Sequence, residues 1–408
     1  MLFLFSQANI TGEYQIPMND TLLLRNGMLH TMTEDAFIGD ILVQNGKIAA
    51  VGPSIPAGDA TVVELNGRFV LPGFIDAHCH IGMWEDGMGE EGADGNEMTD
   101  PITPQLRAID GLNPFDPCFK EAREAGVTTV VTGPGSANVI GGQFAALKTY
   151  GRSVEEMTLR EPVAMKAATG ENPKAVYTEK KVAPTTRMAI ASLIRSTMVD
   201  AIEYQKGMAK DDDKPDRDIA MDALLPVINR ELTLKIHAHR ADDILTALRL
   251  AKEFNLKVTI DHCTEGYLIT DVLKERLVQQ GAGIIIGPLL SERSKIELKN
   301  LSFSAPRILD EAGIPFAMMT DHPVIPIQFL PVQAGLAVRE GLSEETAFRS
   351  ITRNAAEIVG IADRVGTIEP GKDADIAVFD GHPFDFRTHC VLTLINGAIV
   401  HDTRKQEA

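Results

Sequence analysis

From Phe74 to Val324 the chain repeats one pattern, a short run of apolar residues, a turn signal and, in most cases, an amphipathic stretch. The strand candidates are FIDAHCH (74–80), VTTVVTG (127–133), QFAALKTYG (143–151), PVAMKAATG (162–170), LTLKIHAHR (232–240), LKVTIDHCT (256–264), AGIIIGPLL (282–290) and PFAMMTDHPV (315–324). Runs that are apolar on both faces belong to strands covered on both sides, as parallel sheets are. RADDILTALRLAKEFN and TEGYLITDVLKERLVQQG carry the helical spacing between them. Eight such strands alternating with helices predict an α/β chain, a closed parallel (β/α)8 TIM barrel. Residues 171–230 read as a helical insertion whose loop KDDDKPDRD should be exposed.

β character flanks this repeat on both sides. TLLLRNGMLHTM, GDILVQNGKIAAVG and TVVELNGRFVLPG each contain Asn-Gly, at 26–27, 45–46 and 66–67, and a fourth Asn-Gly lies at 396–397. Asn-Gly supplies the positive φ values of a type I′ hairpin, so these runs predict a small antiparallel sheet. The expected organisation is an N-terminal extension over 1–18, a small β-sandwich domain composed of 19–72 and 356–408, and a barrel over 73–355.

Length and charge narrow the function. At 408 residues the chain exceeds one small core, and its 44% hydrophobic and 24% charged residues are ordinary for a globular protein. With 39 basic and 57 acidic residues the net charge is −18, which argues against nucleic acid or an anionic membrane as partner. A small-molecule substrate is expected, and the sequence leaves open whether the chain forms a homo-oligomer. Cys79, Cys118, Cys263 and Cys390 form no C-x-x-C pair, and no basic leader or long apolar span is evident, so a reduced, cytoplasmic protein is expected.

The chemistry lies in the histidines. Six of the ten, His78, His80, His237, His239, His262 and His322, fall at the C-terminal ends of strand candidates, which converge on one face of a barrel. His78 and His80 are two residues apart, so they share a face, with Cys79 on the other. Imidazole and carboxylate are the ligand set of zinc and related divalent ions, and the pair reads as a two-tooth clamp on such a metal.

VLPGFIDAHCH near the start and GTIEPGKDADIAVFD near the end resemble the two ends of amidohydrolase-superfamily chains, in the branch of imidazolonepropionases and Xaa-Pro dipeptidases. The resemblance implies His78 and His80 from strand 1, His237 from strand 5, His262 from strand 6 and Asp321 from strand 8 as ligands of one or two ions, zinc foremost. Two-metal relatives add a bridging carboxylate, often a carboxylated lysine ending strand 4. Lys166 stands there, with Glu171 as rival and Lys148 on strand 3 as a third choice. Relatives that deaminate nucleobases carry H-x-x-E on strand 5, whereas here Arg240 follows His237 by three. The implied reaction is hydrolysis of an amide or cyclic amide, with dipeptides and N-acyl amino acids as candidate substrates.

In the implied mechanism Asp321 takes a proton from a metal-activated water and returns it to the leaving nitrogen. His262 and His239 are the other catalytic candidates. Arg240, Arg187 and His322 are candidates for holding the substrate, the arginines through a carboxylate. The alternatives are a one-metal imidazolonepropionase-like hydrolase and a non-catalytic scaffold, the latter disfavoured by the complete ligand set. GPGSANVIGG (133–142) reads as a substrate-side loop or a tight connection, and the acidic loop 84–101 as solvated.

Overall fold

The computed structural model describes residues 21–280 and 283–404, with side chains assigned outside 278–280. The expected extension over 1–18 lies outside these residues. Among the described residues, no helix is long and apolar enough to cross a membrane.

The chain opens with β1 (Leu22–Leu29), β2 (Phe37–Gln44), β3 (Lys47–Gly52), β4 (Thr61–Glu64) and β5 (Phe69–Pro72), and passes through Gly73 into the barrel. A Cβ at Gly73 would lie 2.1 Å from Thr128 Oγ1, so no larger residue fits that crossing without displacing its neighbour. The barrel strands are β6 (Phe74–Cys79), β7 (Val127–Thr132), β8 (Ile140–Lys148), β9 (Thr158–Ala168), β10 (Thr233–Ala238), β11 (Val258–His262), β12 (Gly283–Ile286) and β13 (Phe316–Met318). The chain then returns through β14 (Ile376–Phe379), β15 (Cys390–Ile395) and β16 (Ala398–Asp402) to the first sheet.

That first sheet has the order β16-β15-β14-β5-β1-β2-β3, with β4 also on β1. Its ends meet, because Ala374 N donates to Gly46 O and Gly397 N to Ala374 O. The two layers of the expected sandwich are therefore parts of one continuous sheet, bent around a core that includes Leu24, Ile41, Ile376 and Leu394. Asn45-Gly46 and Asn396-Gly397 form hairpins with positive φ at both residues, as expected. Asn26-Gly27 does not: it sits inside β1 at a register shift. Asn66-Gly67 turns the chain from β4 to β5, both parallel to β1, so the sheet is mixed rather than antiparallel.

The second sheet runs in chain order from β6 to β13. Its outer strands meet at the mouth, where His80 N donates to His322 O (2.8 Å) and Asp321 N to His78 O (3.1 Å). The α/β barrel expected from the repeat is present, with one departure: β8 is antiparallel to both β7 and β9. The reason is connection length. Only residues 133–139 join β7 to β8, too few for a parallel crossover, which needs a dozen or more. The floor is closed by the helix Arg353–Val359, whose Ala355 and Ala356 join Ile75, Phe144, Val163 and Ala317 in the interior cluster. The insertion forms helices Glu171–Glu179, Arg187–Met208 and Ile219–Ile228, and 210–218 are exposed. The long helix starts at Thr186, whose hydroxyl accepts from Ala189 N.

The reversal of β8 sends Lys148 to the floor. There its buried ammonium pairs with Asp375 and, at 3.1 Å, with Asp373, which also binds Lys47 and Arg364. Lys148 is thus a tie between barrel and terminal sheet, not a candidate bridge. Burial works to raise the Asp373 pKa, but the Lys148 charge and the bonds from Arg364 and Lys47 overcome it and hold it below the usual carboxylate range. A depressed carboxylate contributes stability above its unfolded pKa and loses it as pH falls through the folded one. Lys148→Met should cost about 3–5 kcal/mol in urea unfolding, the loss expected when a buried ion pair is broken from one side. With Asp373 less depressed, the variant should also unfold at higher pH than wild type in an acid titration.

Candidate metal centre

Two groups of ligand atoms meet at the barrel mouth, His78 with His80 and Asp321, and His237 with His239 and His262; within each group they lie within 4.8 Å of one another. In the first, Asp321 Oδ1 is 3.2 Å from His80 Nε2 and 3.5 Å from His78 Nε2. All five histidines are buried, and the Asp321 side chain, 14% exposed, is where the centre opens to solvent.

How the backbone aims these rings was only partly foreseeable from strand alternation. His78 and His80 share a face, and Cys79 packs in the outer cluster with Val130. His262, in contrast, directly follows Asp261, yet both serve the interior. His262 has φ 69° and Asp321 φ 55°, left-handed values that non-glycine residues adopt sparingly and that recur at functional sites. That twist turns His262 into the mouth.

The anchoring of the rings follows one pattern. His78 Nδ1 pairs with Asp261 Oδ2 (2.5 Å), His80 Nδ1 with Gly133 O (2.7 Å), His239 Nδ1 with Thr264 Oγ1 (2.7 Å) and His262 Nδ1 with Gly287 O (2.9 Å). In each ring Nδ1 is engaged from behind and Nε2 is left towards the centre, the arrangement that orients imidazole on a metal. His262 Nε2 and His237 Nδ1 are buried with no partner, atoms that a cation would satisfy. Burial, reinforced by nearby Lys166, holds His78 and His237 well below the usual imidazole range; burial and His237 do the same for His262, and bring His239 down to about 3. Neutral imidazole is the form that binds metal. The donor set and its orphaned atoms fit a divalent ion.

Lys166 is fully buried, with Nζ 3.2 Å from His78 Nε2, and burial lowers its pKa to about 8 against the pull of Asp261 and Asp321. Asp321 is held below its usual range: burial opposes this, but the His80 hydrogen bond and the charges of His80, Lys166 and His237 prevail. Glu171 is not in either ligand group; its backbone N donates to Glu297 Oε2. Arg240 forks onto Asp242 and Arg187 onto Asp243, so both proposed substrate clamps already hold carboxylates. His322 is buried beside the first group, with neither ring nitrogen partnered.

Several residues of the centre were missed. Asp261 also accepts from buried Lys235 (2.8 Å), and Glu297, on the loop after β12, directs Oε1 at His239 and His237. Trp84, from the loop expected to be merely solvated, packs edge-on against His80. Of the 133–142 stretch, residues 133–139 form the β7–β8 connection and 140–142 open β8, and Gly133 supplies the carbonyl that holds His80. The available signal was charge inside apolar runs, LKIHAH and VTIDH, since an ion there needs a buried partner.

The amidohydrolase family profile matches residues 69–407. The chain belongs to the amidohydrolase family. An amidohydrolase structure from Thermotoga maritima MSB8 is 43% identical, with TM-score 0.90, covering 93% of this chain and 100% of that one. The imidazolonepropionase of Paracoccus denitrificans is 27% identical over 88% of this chain and 94% of its own length. The amidohydrolase tasK of Hapsidospora irregularis is 28% identical over 90% of this chain, which spans 40% of that protein. This amidohydrolase is a hydrolase of carbon–nitrogen bonds in small molecules, from a metal-dependent superfamily.

Asp261→Asn removes the charge that orients His78 and balances Lys235. Metal affinity should fall by roughly 10–100-fold, the usual cost of losing such a partner. Chelator competition on the folded variant measures it.

Proposed function

We propose that this amidohydrolase cleaves an amide or cyclic amide bond of a small molecule at a centre holding two divalent ions, zinc foremost, with dipeptides and N-acyl amino acids as candidate substrates. The observation that carries the reading is the set of four imidazoles anchored through Nδ1, converging with His237 and Asp321 on one mouth. His78, His80 and Asp321 would hold one ion, and His237 and His262 the other. Lys166, as a carbamate, would bridge them: it is fully buried, with its Nζ 3.2 Å from His78 Nε2.

Bound divalent ions at such a centre acidify water towards a pKa of roughly 7 and polarise a carbonyl. Asp321, anionic and at the open side, accepts the proton of the attacking water. It then delivers that proton to the leaving nitrogen, so one carboxylate acts as base and acid in turn. The buried rings behind it hold the geometry, and Trp84 closes one side over His80. Because Arg240 and Arg187 are paired, a substrate carboxylate has a freer cation in half-buried Lys295, whose Nζ is 2.6 Å from Asn172 Oδ1 and whose charge reaches His237 and His239. A second reading, a one-ion imidazolonepropionase-like hydrolase with Lys166 as a free amine, is favoured by the likeness to the Paracoccus enzyme along most of both chains.

Elemental analysis separates the two. The two-ion reading expects close to two ions per chain in wild type and loss of one in Lys166→Ala. Carboxylation needs the neutral amine, so bicarbonate should promote metal uptake by apoprotein, more above about pH 8 than below it. One tightly bound ion, unaffected by Lys166→Ala, selects the second reading; loss of an ion in Glu171→Gln instead makes Glu171 the bridge.

For Asp321→Asn, kcat on a substrate found by screening amides and lactams should fall by about 10²–10⁴, the range for a lost general base. Most metal should remain, since histidines supply most ligands. Near-normal turnover with full metal removes Asp321 from proton transfer.

A further inference from the structure

Glu297 carries a buried carboxylate whose two oxygens have different fates. Oε2 accepts from Glu171 N, at the start of the helix Glu171–Glu179. Oε1 has no hydrogen-bond partner, although the residue is only 1% exposed. It lies 3.6 Å from His239 Nε2 and 3.8 Å from His237 Nε2. A buried carboxylate oxygen left without a donor is costly and needs an explanation. Helix capping accounts for Oε2 alone.

The surroundings keep this carboxylate in place. Gly170 has φ 84°, and a Cβ there would lie 3.1 Å from Glu297 Oε2 and 2.9 Å from Asp243 Oδ2, so a side chain would crowd both carboxylates. The nearby negative charge of Asp243 is met by Arg187, and Lys295 is engaged with Asn172. Neither cation is bonded to Glu297. His239 has Nδ1 fixed by Thr264, which leaves Nε2 facing Glu297 Oε1. His262 Nε2 is likewise buried and unpartnered, and it belongs with His237 and His239 to the group of ligand atoms lying within 4.8 Å of one another, of which Glu297 is not a member.

We infer that Glu297 and His239 are ligands of the ion held by His237 and His262, completing a three-histidine, one-carboxylate set on the strand 10–11 side of the mouth. Three imidazoles and a carboxylate are an N/O donor set suited to zinc or cobalt. The inference rests on the metal-centre reading above and extends it to two residues whose chemistry that reading leaves unused. It also gives the loop after β12 a function, that of carrying a ligand over the barrel to the histidines of two other strands.

The test uses the full-length protein stripped of metal and reloaded with Co(II) or Zn(II). Glu297→Gln keeps the volume and an oxygen for the helix cap, while removing the anionic ligand. His239→Gln removes the imidazole independently. In each variant the affinity of one ion, read by chelator competition, should fall at least about tenfold, and the Co(II) absorption of that ion should change in intensity and position. The rise in Tm on adding Zn(II) should shrink in both, with apoprotein Tm reporting any damage to the fold itself. Wild-type affinity, spectrum and Tm response in both variants would overturn the inference. If wild type binds one ion only, the two-ion reading falls, and Glu297 is still decided by whether that ion's Co(II) spectrum changes in Glu297→Gln. Wild type that binds neither metal overturns both.

Discussion

The seam between the first and last barrel strands sets the geometry of the whole centre. Two backbone hydrogen bonds, His80 N to His322 O and Asp321 N to His78 O, join residues more than two hundred positions apart. They also fix the three side chains of the first ligand group against one another. A barrel that failed to close there would lose its ring of strands and the His78–His80–Asp321 group together. Stability and site geometry share the same few bonds, which is why the ligand residues are themselves the residues of closure.

The shortest ionic contacts inside the barrel meet at Asp261. Asp261 meets Lys235 at 2.8 Å and His78 at 2.5 Å, both fully buried partners. Lys166 stands in register with Lys235 on the neighbouring strand, so two amine groups lie below the histidines with the buried carboxyl groups of Asp261 and Asp76. Burial depresses both lysines, and the Asp261 charge limits the depression. Phe144 lies beneath both ammonium groups, about 5.5 and 5.7 Å from ring centroid to Nζ, and also touches the rings of His78 and His80. The interior is therefore built around paired charged groups rather than apolar packing alone.

The reversed strand β8 has consequences at both ends. Its short connection brings Gly133 close enough to hold His80, and no Cβ could be tolerated there, since it would lie 2.2 Å from the Phe144 ring. Its other end carries Lys148 to the floor, where buried ionic contacts fasten the barrel to the sheet made from both chain ends.

The sequence by itself determined the strand–helix repeat, the metal-binding character of the mouth and the membership of His78, His80, His237, His262 and Asp321 in one neighbourhood. These follow from local patterns: strand ends converge in a barrel, and alternation aims H-x-H pairs in one direction. The structure alone decided which other groups join them. Glu297 lies in a single 3-10 turn, Ile296–Leu298, too short to show periodicity, and Asp261 neighbours His262 in sequence, so alternation would have sent Asp261 and His262 to opposite faces. The left-handed φ of His262 cancels that rule, and a backbone torsion is not written in residue type. Lys148 and Lys166 look alike as lysines in apolar strands. Only the direction of β8, set by the length of a loop, carries one to the floor and leaves the other among the ligands.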